Sequence, residues 1–199
     1  MERFPIAIVP VGRIDAAEVE AAAVRTAKVL GEPVELREAL PVPHDSEDPA
    51  RGQHRAAALL GVLRAEVAKL RPGRMVGGGD EPAPRPPRPA GFVFVSDVDL
   101  FTANRDGVFS ALLPAKGCAV VSVRRLREAF YRRKADPVQQ RSRFVKEILR
   151  MAARLRGVAT CNDPRCVLAE SRAVPDLDLK EERFCRACEQ RLFQGRVPV

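Results

Sequence analysis

The sequence contains no tryptophan, one tyrosine and only two histidines (His44 and His54) in 199 residues. With so few large rings, the core must be built mainly from Val, Leu, Ile, Ala and the nine Phe. Long apolar stretches are also missing, since no run approaches the roughly 18 residues that suggest a membrane-spanning helix. The N-terminal apolar stretch is short and broken by prolines, which is too little for a signal peptide. We therefore expect a soluble, cytoplasmic protein that makes no membrane contact.

The cysteines show a spacing that is typical of a metal site. Four of the five follow the pattern C-x4-C-x18-C-x2-C near the C-terminus, namely Cys161, Cys166, Cys185 and Cys188. In a reducing compartment such cysteines are metal ligands more often than disulfides. Zinc favours four tetrahedral thiolates in closed sites, which leave no position for activating water. The spacing predicts one structural zinc ion. The alternatives are two disulfides, an iron–sulfur cluster or four unrelated thiols. The fifth cysteine, Cys118, is predicted to be a buried thiol.

Hydrophobic periodicity and turn residues predict the elements. A strand–helix–strand opening occupies residues 4–11, 16–30 and 33–40, and a parallel strand pair is expected from it. A helix is predicted over 50–70, with His54 as a partly exposed residue near its start, and residues 70–90 form a Pro/Gly-rich insertion loop. The remaining predictions are strands at 91–96, 108–113 and 118–123, and helices at 124–134 and 136–156.

These elements predict the fold class. The expected fold is α/β (α+β), a mixed twisted β-sheet with flanking helices, followed by a zinc-bound segment over residues 161–188. The length suits a single domain over residues 1–199, because two domains would each have a marginal core. The stretch between Ser171 and Asp178 is polar and irregular, and we expect the metal to hold it in place.

The net charge of +8 is concentrated in one block. Residues 124–156 contain twelve Lys or Arg and three acids, so the rest of the chain is nearly neutral. On the 136–156 helix, an apolar stripe adjoins a basic face made of Arg143, Lys146, Arg150 and Arg154. That face is either solvated or salt-bridged, or it binds an anion such as a peptide carboxylate or a phosphate at Arg150 and Arg154.

From about residue 143 to 192 the sequence resembles the archaemetzincins, zinc metallopeptidases with a metzincin-type fold. The matching residues are Lys146, Glu147, Gly157, Cys161, Cys166, Val167, Ser171, Asp178, Lys180, Phe184, Cys185 and Cys188. Weaker similarity occurs upstream at residues 51–54, 97–101, 108–111 and 121–126. The resemblance implies a metzincin-like fold.

The resemblance also locates the family's active site, HExxHxxGxxH followed by a cysteine. In that motif three His hold a catalytic zinc and the Glu is the general base. Here Arg150 stands at the position of the first His, Met151 at that of the Glu and Arg154 at that of the second His. Thr160 stands at the position of the third His, and Leu168 at that of the Met in the family's turn beneath the metal. A guanidinium group has no lone pair for a metal, and a thioether cannot take a proton from water. The resemblance therefore implies a degenerate catalytic site beside an intact structural zinc site.

The resulting functional prediction is an archaemetzincin-like protein that retains the metalloprotease scaffold, is proteolytically inactive and binds a peptide or another anion. The strand at 108–113 is the candidate for backbone pairing with a peptide. One alternative is an active peptidase with unconventional ligands such as Asp97 and Asp99. Another is a nucleic-acid-binding zinc protein, which the small number of aromatic residues among the arginines disfavours.

Overall fold

The computed structural model of the protein describes residues 5–77 and 89–193. Ten strands and five α-helices occur in these residues, joined by turns and short 3-10 segments. In chain order they are β1 (Ile6–Val11), α1 (Ala16–Leu30), β2 (Val34–Leu36), β3 (Glu47–Asp48), β4 (Gln53–Arg55), α2 (Ala56–Val67), β5 (Arg74–Val76), β6 (Gly91–Ser96), β7 (Leu100–Thr102), β8 (Arg105–Val108), β9 (Ser110–Leu113), β10 (Cys118–Ser122), α3 (Pro137–Leu155), α4 (Val174–Leu179) and α5 (Arg186–Phe193).

Both long helices begin at capping aspartates. The Asp15 carboxylate accepts a hydrogen bond from the Ala17 N–H at 2.9 Å, and α1 ends at Gly31, whose φ of 63° is left-handed. Asp136 caps α3 in the same way. The spacing of apolar residues along α3 buries the predicted stripe, including Met151. The predictions for these two helices are confirmed to within one residue at each end.

The main sheet has six strands in the order β5-β2-β1-β6-β10-β9. The central strands β2, β1, β6 and β10 are parallel, whereas both edge strands, β5 and β9, are antiparallel to their neighbours. Helices α1 and α3 pack in one hydrophobic cluster and α2 in the other, so helices cover both faces. The predicted mixed α/β sheet with flanking helices is confirmed, and β9 has one edge without a strand partner among the described residues.

A second sheet of four short strands was not predicted. Its order is β3-β4-β7-β8, and its longest strand has four residues. The prediction of a helix over 50–70 is wrong at its start, because α2 begins at Ala56 and His54 belongs to β4, where it pairs with Leu100. His54 is 9% exposed and is not the exposed helix residue that the sequence suggested.

Three further predictions need correction. The 70–90 loop contains β5, which pairs with β2, and residues 78–88 of it lie outside the described residues. The predicted strand 108–113 is divided at Phe109, because β8 belongs to the small sheet and β9 to the main one. The helix predicted over 124–134 is two 3-10 turns, Arg124–Leu126 and Glu128–Tyr131. None of the helices in the described residues is long and apolar enough to cross a membrane.

Candidate metal centre and the helix beside it

The four cysteines of the C-terminal segment come together in space. Cys161 and Cys166 lie in the loop that follows α3, Cys185 immediately precedes α5, and Cys188 is on its first turn. Their four Sγ atoms lie within 4.8 Å of one another, and Cys161 Sγ is 3.7 Å from Cys185 Sγ. Four thiolates bound tetrahedrally to zinc at about 2.3 Å would have Sγ–Sγ separations of roughly 3.8 Å. The donor set and its spacing therefore fit a zinc ion.

The environments of these thiols differ. Burial raises the pKa values of Cys166 and Cys188, whereas a hydrogen bond from the Cys188 backbone N–H lowers the pKa of Cys185. Zinc binds the thiolate form, so metal binding must release protons from the two buried thiols. Zinc affinity should consequently fall in acid. Cys118 lies apart in β10 and is fully buried, as predicted.

Two basic residues of α3 connect the helix to the cysteine segment. Arg143 donates to both carboxylate oxygens of Asp178 at 2.6 and 2.8 Å, and it also pairs with Glu128 at 2.7 Å. Lys146 donates to the Leu177 carbonyl at 3.0 Å, and burial lowers its pKa. Leu177 is fully buried on α4, so the prediction of an irregular stretch without a core of its own is wrong there.

Arg150, on the next turn of α3, belongs to a mostly buried polar cluster. The Ser110 hydroxyl donates to Glu147 Oε2 at 2.5 Å and accepts from Arg150 Nη1 at 3.0 Å. Arg150 Nη1 also lies 3.4 Å from Glu147 Oε2, and Lys180 Nζ lies 3.6 Å from Glu147 Oε1. Burial lowers the pKa of Lys180. Glu147 is 1% exposed, so its carboxylate depends on these two cations.

The other positions matched to the family's catalytic motif are arranged differently. Met151 is 2% exposed and packs in the hydrophobic cluster of α1 and α3. Arg154 is half-buried and donates to the Val158 carbonyl at 3.3 Å, while Thr160 is exposed. Three of these four side chains thus have structural contacts of their own. The predicted salt-bridged helix face is found at Arg143 and Arg150, and Arg154 pairs with a backbone carbonyl.

Asp97 and Asp99, the proposed unconventional ligands, follow β6. Arg125 donates to both oxygens of Asp99 at 2.5 and 2.8 Å, and Gln53 donates to it at 2.9 Å. Burial would raise the pKa of Asp99, but these hydrogen bonds from Arg125 and Gln53 lower it overall. Within the residues that the structure describes, only the four cysteines form a group of three or more potential metal ligands.

Much of the basic block is paired internally. Arg125, Arg143, Arg150 and Arg156 each form an ion pair with an acidic side chain. Lys146 is buried against a backbone carbonyl. The positive charge of this block is therefore compensated in part, while Arg124, Arg132, Lys134 and Arg141 are exposed. The paired cations are not available to a nucleic-acid-binding surface.

Sequence reasoning missed the partners of these basic residues. These partners are Ser110, Glu128 and Asp178, which lie outside α3. The spacing of residues within a helix therefore cannot predict their contacts with it. The sequence did contain one indication of the buried ion pair. Glu147 lies beside the apolar stripe of the helix, and Arg150 follows three residues later, which is the spacing of an ion pair within a helix.

Comparison with solved structures identifies the class of protein that has this fold. A zinc-dependent peptidase from Methanocorpusculum labreanum superposes with a TM-score of 0.78 at 25% identity, over 94% of this chain and 99% of that one. Archaemetzincin from Methanopyrus kandleri superposes with a TM-score of 0.73 at 25% identity, over 96% and 94%. The fold is that of zinc-dependent peptidases, and it here carries a four-thiol centre that supports zinc.

Sequence comparison then gives the family. The model of peptidase family M54 matches residues 91–194, more than half of the chain, so the chain belongs to this family. Archaemetzincins from Saccharolobus islandicus and Pyrococcus furiosus are 36% identical over 96 residues and 31% identical over 107. These alignments cover 48% and 52% of this chain, and 51% and 56% of the two relatives. The chain thus spans about half the length of the curated relatives it matches. The predicted archaemetzincin relationship is confirmed.

Proposed function

We propose that this protein is a zinc-stabilised member of family M54 whose cleft binds extended peptides without hydrolysing them. The observation that carries the proposal is the position of the Arg150 guanidinium, which contacts Ser110 and Glu147 where the family motif has its first zinc-binding His. Arg150 offers donors and a permanent positive charge at this point, so it repels a metal ion and cannot coordinate one.

Other residues support the same conclusion. Met151, at the position of the general base, cannot accept a proton and is buried in the core. Arg154, at the position of the second His, donates to a backbone carbonyl. Among the described residues, the positions of the family motif therefore offer no ligands to a zinc ion that would activate water, whereas the four thiols fit a closed structural site. Cys161, Cys166, Cys185 and Cys188 would hold that ion, which would stabilise the segment after α3.

The peptide-binding part of the proposal depends on β9. This strand is an edge of the main sheet, and its four residues are all half-buried. An extended peptide could add to the free edge through backbone hydrogen bonds, with side-chain pockets providing selectivity. Ser110 begins β9 and accepts from Arg150, so a guanidinium group stands at one end of this strand. Arg150 already pairs with Glu147, so a peptide carboxylate bound at this end of the strand would share the guanidinium group with that side chain.

Metal content and cleavage test this function together. We expect one zinc ion per chain by elemental analysis, no cleavage of casein, and a saturable rise in anisotropy of a labelled casein peptide that remains intact. The matched control is the quadruple variant Arg150→His, Met151→Glu, Arg154→His and Thr160→His, which reinstates the family motif and should bind a second zinc. Two zinc ions in the unaltered protein, or casein cleavage that 1,10-phenanthroline abolishes, would overturn the proposal.

A further inference from the structure

A cavity lies at the carboxyl ends of the parallel strands β6 and β10, apart from the cysteine site and from α3. Gly12 follows β1, Asp97 follows β6, and Arg124 follows β10 by two residues. The chain leaves β1 through α1 to reach β2 on one side, whereas β6 lies on the other side of β1. Open α/β sheets bind ligands in the crevice at such a reversal of strand order. The cavity is lined by the segments after β6 and β10, so it lies beside this reversal on the side of β10.

The cavity has a volume of about 310 Å³. Its lining residues are Gly52, His54, Asp97, Val98, Asp99, Arg124 and Phe130. They come from the small sheet, from the loop after β6 and from the 3-10 turns after β10, and none belongs to the cysteine site or to α3. A volume near the lower end of ordinary ligand pockets, roughly 300–1,000 Å³, suits a small polar molecule.

The shorter hydrogen bond of Ser46 favours one tautomer of His54. The Ser46 hydroxyl donates its single proton to the Pro43 carbonyl at 2.7 Å, and Ser46 Oγ lies 2.9 Å from His54 Nδ1. When the hydroxyl donates to this carbonyl, Ser46 accepts from Nδ1–H, and the lone pair of the neutral ring is then on Nε2. Burial lowers the pKa of His54, in agreement with a neutral ring.

The lone pair on Nε2 is available to a ligand. His54 is 9% exposed. Its Nε2 atom is nevertheless not one of the side-chain nitrogen and oxygen atoms that are fully buried and have no hydrogen-bond partner. No hydrogen bond in the described part of the chain reaches Nε2. The nearly buried ring of His54 thus lines the cavity and has one nitrogen, Nε2, without a hydrogen-bond partner among the described residues.

Two opposite charges line the same cavity. The side chains of Asp97 and Arg124 form no hydrogen bond or ion pair with other described residues, although the Arg124 backbone N–H donates to Ser122 Oγ at 3.1 Å. Asp99, in contrast, is already neutralised by Arg125. Phe130 is 38% exposed and contributes an aromatic edge. The cavity therefore offers a free carboxylate and an imidazole acceptor for a cation, and a free guanidinium group for an anion.

We propose that this cavity binds a small zwitterion of the amino-acid type. Asp97 and His54 Nε2 accept hydrogen bonds from its ammonium group, and Arg124 pairs with its carboxylate. A metal cation is a poorer fit, because the described residues bring no third protein ligand to this place. This binding site is independent of the proposed loss of hydrolysis at Arg150.

Calorimetry with a panel of zwitterions tests the proposal on the full-length protein. The probes are glycine, 4-aminobutyrate, 6-aminohexanoate and lysine, and the singly charged comparisons are butylamine and butyrate. We expect saturable millimolar or tighter binding of at least one zwitterion, with each singly charged analogue binding at least tenfold more weakly. Absence of saturable binding by every zwitterion at 10 mM, or equal binding of butylamine or butyrate, would overturn the proposal.

Three substitutions locate the site. Asp97→Asn keeps the side-chain shape and removes the charge, and Arg124→Gln replaces the guanidinium group by a shorter neutral amide. Each should weaken binding by at least tenfold. Arg141→Gln removes an exposed positive charge outside the cavity and should change the affinity less than twofold. Circular dichroism melting checks that all three variants fold. If both cavity variants fold and bind as tightly as the unaltered protein, or if the cavity takes up zinc through Asp97 instead, the assignment is wrong.

Discussion

Arg143 and Asp178 form a two-point contact in which one guanidinium group donates to both oxygens of one carboxylate, at 2.6 and 2.8 Å. Arg143 lies on α3 and Asp178 on α4, so the contact joins the long helix to the cysteine segment. The Arg143 side chain is 3% exposed, and that of Asp178 is 32% exposed. Two parallel hydrogen bonds fix the orientation of the Asp178 carboxylate as well as its distance from Arg143. The contact thus attaches α4 to α3 through side chains that are not metal ligands.

Asp178→Asn should destabilise the protein. The substitution keeps the shape but removes the charge that Arg143 requires, and a hydrogen bond to a charged group contributes about 1.5–3 kcal/mol. Urea denaturation measures the change in the free energy of unfolding, with an unchanged m-value as the sign that the fold is retained. Glu170→Gln is the control, because its partners Arg105 and Arg172 are exposed and the loss should be below about 1 kcal/mol. Equal losses in the two variants would contradict the role given to the buried contact.

The same contact predicts a dependence on pH. Burial would raise the pKa of Asp178, but the hydrogen bonds from Arg143 outweigh burial, and its pKa in the folded state is below the ordinary value. A lowered pKa stabilises the folded state above the unfolded pKa of about 3.9, and this stabilisation is lost as the pH falls through the folded value.

Urea midpoints of the unaltered protein and of Asp178→Asn, measured between pH 2 and pH 7, test this dependence. The difference in stability should be largest at neutral pH and should diminish below about pH 4. Loss of zinc in acid affects both proteins and cancels in the difference. A difference that stays constant down to pH 2 would show that the carboxylate charge contributes nothing.

The sequence predicted those elements whose signal is local. Asp15 and Gly31 mark the ends of α1, and the 3-to-4-residue spacing of buried residues gives α3. The small sheet has strands of two to four residues, which are too short to show a period of two. Strand β5 forms within a Pro/Gly-rich stretch only because β2 is there to pair with it. The strands that the sequence did not predict therefore form through pairing with strands that are distant in sequence.

The candidate sites show the same division. Cysteine spacing located the metal centre, because thiol pairs separated by two to four residues can bind one ion within a short loop. The contacts of Arg150 could not be predicted from spacing, because Ser110 lies 40 residues away in the sequence and Lys180 lies 30 residues away. The cavity around His54 is likewise assembled from three segments that only the folded sheet brings together.

Removal of the metal should loosen the end of the chain. Cys166→Ser deletes a ligand that is 1% exposed, so zinc content should fall to a small fraction of one ion per chain. Structural zinc contributes roughly 10–16 kcal/mol of apparent binding energy in small zinc peptides, which makes a large decrease in melting temperature the expected outcome. Cys118→Ala is the matched control, because that thiol lies in β10 and should leave the zinc content unchanged. Full zinc occupancy in Cys166→Ser would exclude Cys166 as a ligand.

Arg150→Met separates a structural role of this residue from a ligand-binding one. The substitution leaves the buried Glu147 carboxylate with Lys180 as its remaining cation, at 3.6 Å, and deletes the donor to Ser110. Breaking such a contact should cost about 1.5–3 kcal/mol in urea denaturation. Arg154→Met removes one 3.3 Å hydrogen bond from a half-buried side chain and should cost less, about 0.5–1.5 kcal/mol. If Arg150→Met is instead as stable as the unaltered protein but loses affinity for the casein peptide, then Arg150 serves the ligand and Glu147 is satisfied without it.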